Sequence, residues 1–283
     1  MEENMTTTNN FEYFAYDDLK IFYRKEGSGK PIIFLHNGGN SHIIWNRQLD
    51  YFSGSHTCYA FDLPGYGMSV NTNARFPLEL YTSFLDEFIT SRKLAPVTLV
   101  GNCVGSATAL TYAMKKPQNV DKLILFNVLT KATVWDGFWG IFFKLTAPAP
   151  SLRPLLRKAF GNWIIPKLVA NFSVATQFGN RGHRDPEFVK ELKKLYGQKG
   201  QLGALIDILT DIESFVPMDN FLIPQKFPET LVIWGEKNRI LPLKSGQKLC
   251  AKLKPHRLEV IKGGGHVVMH QLHQEVNALM KIA

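Results

Sequence analysis

The sequence predicts an α/β fold: a mostly parallel eight-stranded sheet with helices on both faces and an inserted helical segment. Three observations carry this. Short continuous apolar runs, Pro31–Leu35 and Val97–Val100 among them, read as strands buried on both faces. Helical patterns separate these runs at the spacing of βαβ units. The alternation stops after Asn127 and resumes at Thr230, leaving 131–226 rich in helix signals, proline and basic residues. A chain of 283 residues is long enough for one such domain with an insertion. The expected boundaries are a core over 11–130, a helical cap over 131–226 and the rest of the core over 227–283.

In chain order, residues 1–10 are polar and read as a flexible tail. Phe11–Tyr16 and Leu19–Lys25 read as two strands joined at Asp17-Asp18. After the break at Gly27-Ser28-Gly29 comes the Pro31–Leu35 strand. Ile43–Phe52 reads as a helix, Thr57–Phe61 as a strand and Leu78–Lys93 as a long helix. Val97 begins a buried strand that runs into Gly101-Asn102-Cys103-Val104-Gly105, and a helix over Ala107–Lys116 stops at Pro117. Asp121–Asn127 is a sixth strand. In the insertion, Phe138, Ile141, Phe142 and Leu145 fall at helical spacing. So do Leu152, Leu155, Leu156, Ala159 and Phe160, with Arg153, Arg157 and Lys158 on the opposite face, so the apolar stripe is expected to pack on the core or to roof a substrate pocket. Lying on a membrane is the alternative for such a stripe. Thr230–Trp234 and Arg257–Ile261 are the last two strands, Pro242–Leu253 is a helix, and a closing helix starts at Val267.

The turn at Cys103 organises the rest. A residue on a sharp strand-to-helix corner projects above the sheet edge, flanking glycines avoid clashes, and the helix start offers free N–H groups. A glycine-flanked cysteine also fits a small buried thiol. Four further motifs fall in register with it. His36-Asn37-Gly38-Gly39 follows the third strand. Asp62-Leu63-Pro64-Gly65-Tyr66-Gly67-Met68-Ser69 follows the fourth. Trp234-Gly235-Glu236-Lys237-Asn238-Arg239-Ile240-Leu241-Pro242 follows the seventh, and Gly263-Gly264-Gly265-His266 follows the eighth. Together they resemble the α/β-hydrolase superfamily: nucleophile elbow, oxyanion loop, fourth-strand turn, acid loop and histidine loop. Cysteine stands where that family usually carries serine, Asn238 where it carries aspartate, and Asn37 where it carries glycine.

The resemblance implies Cys103 as nucleophile, His266 as its base, and the backbone N–H groups of Gly38 and Val104 as oxyanion hole. Asn238 would orient the imidazole, as in a Cys-His-Asn site, with a thiolate–imidazolium pair standing in the resting state. Glu236 and Asp136 are the alternative acids. Asn127 supplies no charge, and the side chains of Asn40 and Asn102 are further donor candidates. Two other accounts of the substitutions stand beside these: a degenerate site used for binding, or engineered near-isosteric replacements of Ser and Asp. The implied activity is hydrolysis of an ester or thioester through an acyl-Cys103 intermediate. The alternatives are an acyltransferase using the same thioester, a lyase or cyclase using His266 as base, and a ligand-binding protein. Large cap residues (Trp135, Phe138, Trp139, Phe142, Phe143, Trp163) fit a hydrophobic acyl group.

No cofactor or metal is expected. His266, His270 and His273 are spaced like ligands, but no cysteine or acidic cluster joins them. Gly263-Gly264-Gly265 lacks the Lys-Ser/Thr of a phosphate loop. Of the formal net charge of +9, residues 131–200 hold twelve Lys/Arg against four Asp/Glu. That reads as a solvated basic face or as attraction to an anionic partner, and an acidic acyl carrier protein at Arg153, Arg157 and Lys158 is the candidate. No nucleic-acid partner is expected. Cys58, Cys103 and Cys250 form no disulfide pattern, the N-terminus is no signal peptide, and no apolar run reaches the ~18 residues of a spanning helix. The expected location is cytoplasmic.

Overall fold

The alternation read from the sequence is that of the structure, a computed structural model that describes residues 11–71, 73–137, 140, 145 and 152–282. The eight strands are β1 (Phe11–Tyr16), β2 (Leu19–Glu26), β3 (Lys30–Leu35), β4 (His56–Phe61), β5 (Val97–Asn102), β6 (Val120–Phe126), β7 (Glu229–Gly235) and β8 (Arg257–Ile261). They form one sheet in the order β1-β2-β4-β3-β5-β6-β7-β8. β2 pairs antiparallel with β1 and β4, and every other pair is parallel. β3 and β5 therefore lie side by side at the sheet centre, and their C-terminal ends carry the His36 loop and the Cys103 turn to one edge. Ligands bind at that edge in open parallel sheets.

The helices are α1 (Asn46–Phe52), α2 (Leu78–Ser91) and α3 (Val104–Lys115), then α4 (Lys131–Trp135), α5 (Leu152–Phe160), α6 (Lys167–Thr176), α7 (Pro186–Tyr196), α8 (Gln201–Thr210) and α9 (Val216–Asp219) between β6 and β7, then α10 (Leu243–Leu253), α11 (Val268–Gln271) and α12 (His273–Met280). A 3₁₀ turn over His42–Trp45 precedes α1 where a single helix is expected from Ile43, and α3 begins at Val104 rather than Ala107. The sheet is covered on both faces. Ile33, Leu35 and Leu99 pack with α2, α3 and α10, whereas Ile32, Phe34 and Val100 pack with α1, α11 and α12. Alternate residues of one strand thus enter two cores, which is why these strands read as unbroken apolar runs.

The insertion is anchored at both ends. α4 packs on α9 and α10, and the Thr130 and Thr133 side chains cap it reciprocally. The Asp185 carboxylate caps α7 by accepting from the N–H groups of Glu187 and Phe188. α5 meets its expectation only in part: Leu156 and Phe160 turn inward. Leu152 and Leu155 face solvent, Leu155 being 61% exposed, while Arg157 is only 6% exposed. Asp207 is buried on α8 between two cations: Arg157 Nε and Arg75 Nη1 donate to its Oδ1 at 3.1 and 3.2 Å, and Arg157 Nη2 donates to the Ala74 carbonyl at 3.1 Å. A buried carboxylate without such a partner is costly, so the Arg157 ion pair sets the rotation of α5 against its apolar stripe. Arg157 is therefore not part of a basic docking face, whereas Lys158 is exposed. The tail expected over 1–10, the stripe expected at Phe138, Ile141 and Phe142, the aromatic residues Trp139 and Phe143, and the side chain of Arg153 lie outside the described residues.

Candidate active site

β5 ends at Asn102 and α3 starts at Val104, so Cys103 alone makes the corner. Its φ is 55° and ψ −110°, strained for a residue with a Cβ. Strand and helix are too close for side chains on either flank. A Cβ on Gly101 would lie 2.4 Å from the Gly105 carbonyl carbon, and one on Gly105 would lie 2.1 Å from the Leu35 carbonyl oxygen. The corner is bolted to β6: Cys103 N–H donates to the Phe126 carbonyl at 3.0 Å, and the Ser106 hydroxyl sits 2.7 Å from the carbonyls of Gly101 and Phe126. The backbone N–H groups of Val104 and Gly38 lie on the side of the Cys103 sulfur and favour its ionised form. The expected oxyanion donors and nucleophile thus meet at one point.

His266 comes from the loop after β8 and is 1% exposed. Its N–H donates to the Gln177 carbonyl at 2.7 Å, so the insertion helps hold the loop. Its ring Nδ1 meets Asn238, with Nδ2 at 3.1 Å and Oδ1 at 3.3 Å. Asn238 Oδ1 already accepts from the N–H groups of Ile240 and Leu241, each at 3.0 Å. An amide oxygen has two lone pairs, so the closer contact is the Asn238 Nδ2–H donating to a bare Nδ1. Burial lowers the imidazole to about 3 and pushes the Cys103 thiol up to about 12, against the smaller opposing effect of the two N–H groups. Burial therefore favours the neutral thiol and the neutral imidazole, which line the same cavity. Burial thus works against the expected resting thiolate–imidazolium pair, and among the described residues no charge offsets it at either group.

Neither alternative acid reaches the imidazole. Asp136 accepts from the Ser245 hydroxyl at 3.0 Å and pairs with Lys248, and Glu236 accepts from Gly263 N–H at 2.8 Å. Glu236 lies below the usual carboxylate range because of that bond. Its position steadies the turn that leads to His266.

Cys103 and His266 open onto a cavity of about 430 Å³, which Gly38, Leu129, Val134, Leu156, Phe160 and Leu205 also help line. The walls are almost wholly apolar. Residues 30–271 match the family described as alpha/beta hydrolase fold. The chain belongs to the α/β-hydrolase fold family. A 2-hydroxy-6-oxononadienedioate/2-hydroxy-6-oxononatrienedioate hydrolase from Pseudomonas putida is 25% identical over 258 residues, covering 88% of this chain and 86% of that enzyme. Epoxide hydrolase 2 of Caenorhabditis elegans is 20% identical, covering 96% and 79%. An α/β-hydrolase fold protein from Burkholderia ambifaria superposes with a TM-score of 0.77 at 18% identity, covering 97% and 98% of the two chains. The expected fold and the expectation of a hydrolase-fold enzyme agree with these relatives.

Within this hydrolase-fold chain, the residue set hardest to read from sequence is amide. Asn102 is buried, and its Nδ2 donates to Asn37 Oδ1 and to the His266 carbonyl, both at 3.2 Å. Asn127 Nδ2 donates to Asn102 Oδ1 at 3.0 Å and to the same carbonyl at 3.1 Å, while its Oδ1 accepts from Gly235 N–H. Asn102 therefore ties the elbow to the histidine loop and is not aimed at an oxyanion. Asn37 and Asn40 each lie 3.4 Å from Gln177 Oε1, and Gln177 Nε2 donates to Tyr196 at 3.3 Å. Gln177 and Tyr196, both from the insertion and both lining the cavity, carried no local motif. His36 is structural: its Nδ1 bonds the Asn37 carbonyl at 2.7 Å and its Nε2 accepts from Leu63 N–H at 2.8 Å. His270 stacks on Phe188, away from His266. No helix of the described residues is long and apolar enough to cross a membrane.

Proposed function

We propose that this protein cleaves an ester or thioester of an apolar acyl group through a covalent Cys103 acyl-enzyme. The observation that carries this reading is the strained corner. A non-glycine residue is held at positive φ with its sulfur against two N–H groups, at the floor of an apolar cavity. Positive-φ strain of that kind persists where the surroundings over-determine it and a reacting group must be aimed.

In this reading, the Cys103 sulfur attacks the acyl carbonyl as its proton passes to His266 Nε2. The carbonyl oxygen gains the charge and receives the N–H groups of Gly38 and Val104. His266 then returns the proton to the leaving oxygen or sulfur as the acyl C–O or C–S bond breaks, and a thioester remains on Cys103. Water, deprotonated by His266, attacks the thioester; the acyl C–S bond breaks, His266 returns the proton to the Cys103 sulfur, and the acid leaves. An alcohol or amine entering instead gives acyl transfer, and the apolar walls favour whichever acceptor is itself apolar.

Asn238 makes His266 a reluctant base. With Nδ1 accepting from Asn238, the resting proton sits on Nε2, the atom that must receive the thiol proton. The base form requires a shift to the Nδ1–H tautomer, held by the longer contact to Oδ1. The same contact favours a second reading, in which His266 Nε2–H donates to a bound carbonyl in a non-hydrolytic or binding role. Intact-mass spectrometry decides between the two. After mixing with p-nitrophenyl esters and acyl thioesters, an acyl adduct on the native protein that is missing from Cys103→Ala supports the acyl-enzyme. Its decay in water against added alcohols separates hydrolase from transferase. Ligand binding with no adduct and no turnover from any donor sinks the acyl-enzyme reading and leaves the second.

A further inference from the structure

The outer face of the insertion is apolar where a solvated surface would be polar. Trp163 and Ile164 are more than half exposed, Leu168 is 82% exposed and Leu155 61%. These residues surround the cavity. Leu156 lines it directly beside Leu155 on α5, Ile165 and Pro166 line it between Ile164 and Leu168, and Val169 both lines it and is exposed. The apolar surface of the cavity thus runs out through Val169 onto the outer face. A contiguous exposed patch of this kind marks an interaction site.

Charge decides what covers it. Residues 137–184 contain no Asp or Glu and seven Lys/Arg. Within that stretch, Lys158 follows Leu155 by one turn and Lys167 adjoins Leu168, and both lysines are exposed. Arg157 is spent inside on Asp207, so the exposed lysines, not the whole basic count, form the rim. Exposed apolar side chains with Lys158 and Lys167 beside them, on a stretch of chain that holds no acidic residue from 137 to 184, match a surface that is anionic at its headgroups and hydrocarbon beneath. A soluble acidic protein would satisfy the lysines and leave Leu155, Ile164 and Leu168 against polar groups.

We propose that the insertion docks on an anionic lipid bilayer, with Leu155, Trp163, Ile164 and Leu168 entering the interface and Lys158 and Lys167 contacting lipid headgroups. Docking places the cavity mouth at the acyl-chain level, so a membrane-partitioned acyl compound enters through Val169 without crossing water. This deepens the acyl-substrate reading above, but the docking itself needs no chemistry at Cys103.

The test is vesicle sedimentation of the full chain and of Cys103→Ala, using phosphatidylcholine alone and phosphatidylcholine with about a third phosphatidylglycerol. Both proteins should sediment with the anionic vesicles, at least about tenfold more strongly than with neutral ones, and binding should weaken with added salt. Leu155→Asp/Leu168→Asp should lose binding by about tenfold or more, yet hydrolyse a short water-soluble ester like the parent, since neither side chain lines the cavity. Lys158→Glu/Lys167→Glu removes the charge complementarity without placing carboxylates in the apolar patch, and reads the proposal independently should the first variant misfold. Absence of binding to anionic vesicles overturns the proposal. So does binding that neither pair of substitutions reduces, or light scattering that shows the patch buried between two copies. Vesicle binding that persists in a protein forming no acyl adduct keeps the docking and removes the acyl-enzyme.

Discussion

The site has two halves that differ in how completely they are built. On the elbow side, sterics leave one arrangement: Gly101 and Gly105 admit no side chain, Cys103 is held at positive φ, and two N–H groups meet its sulfur. On the histidine side, the loop is equally well fixed, by the side-chain amides of Asn102 and Asn127 and the backbone carbonyl of Gln177, but the group facing Nδ1 is neutral and presents its donor. In the proposed mechanism the first half stabilises a developing oxyanion without reorganisation, and the second handles the proton poorly. Shape and charge have been separated: Asn238 keeps an aspartate's outline and two of its backbone bonds while giving up its charge.

The largest effect tests the elbow half alone. Cys103→Ala should remove adduct formation and lower any esterase activity by about a thousandfold or more, read by single-turnover kinetics. A variant that retains turnover means the histidine half works without the thiol.

Asn238→Asp probes the other half from the opposite direction. A carboxylate of the same outline keeps the bonds from Ile240 and Leu241 and puts an acceptor 3.1 Å from Nδ1, which fixes the Nδ1–H tautomer and stabilises the imidazolium. Acylation should rise, by up to about the 10⁴-fold that the reverse change costs in a serine triad. It should rise in kcat/KM, with the pKa of His266 moving up, as histidine NMR titration would record. No change in either quantity refutes the tautomer assignment.

The thiol itself reports the missing charge. With Cys103 held near 12, its alkylation rate should climb about tenfold per pH unit across pH 6 to 9 with no plateau. A plateau near neutrality reveals a preformed thiolate. Cys58 and Cys250, raised to about 12 by burial as well, should trail it because neither opens on the cavity.

The smallest effect is on stability. His36 and His270 are lowered to about 4 and His266 to about 3, each chiefly by burial. The unfolded chain binds protons at these sites below about pH 6.5 while the folded chain does not. Stability is therefore full above pH 6.5 and falls as pH drops toward 4, each imidazole contributing on the order of 1–3 kcal/mol. Denaturant midpoints that stay flat between pH 6.5 and 4.5 contradict the neutral burial of the three rings.

By itself the sequence determined the eight strands, the two-sided core and the identity of the corner. Runs such as Ile32–Leu35 can be satisfied only between two apolar layers, and the Gly101/Gly105 spacing permits only one kind of turn. Through the resemblance of its strand-end motifs to the α/β-hydrolase family it also pointed to Cys103, His266 and Asn238. What only the tertiary structure decided involves partners distant in the chain. Arg157 turns inward because Asp207, fifty residues on, is buried and needs a cation, and that rotation exposes Leu155. Gln177 and Tyr196 join the cavity because the insertion folds over it. The direction of the Asn238 amide is set by the N–H groups of Ile240 and Leu241, and the resting charge of the site by burial. Periodicity and local motif carry information about what a residue's neighbours in sequence require. Ion pairing, tautomer choice and desolvation depend on what the fold places opposite it.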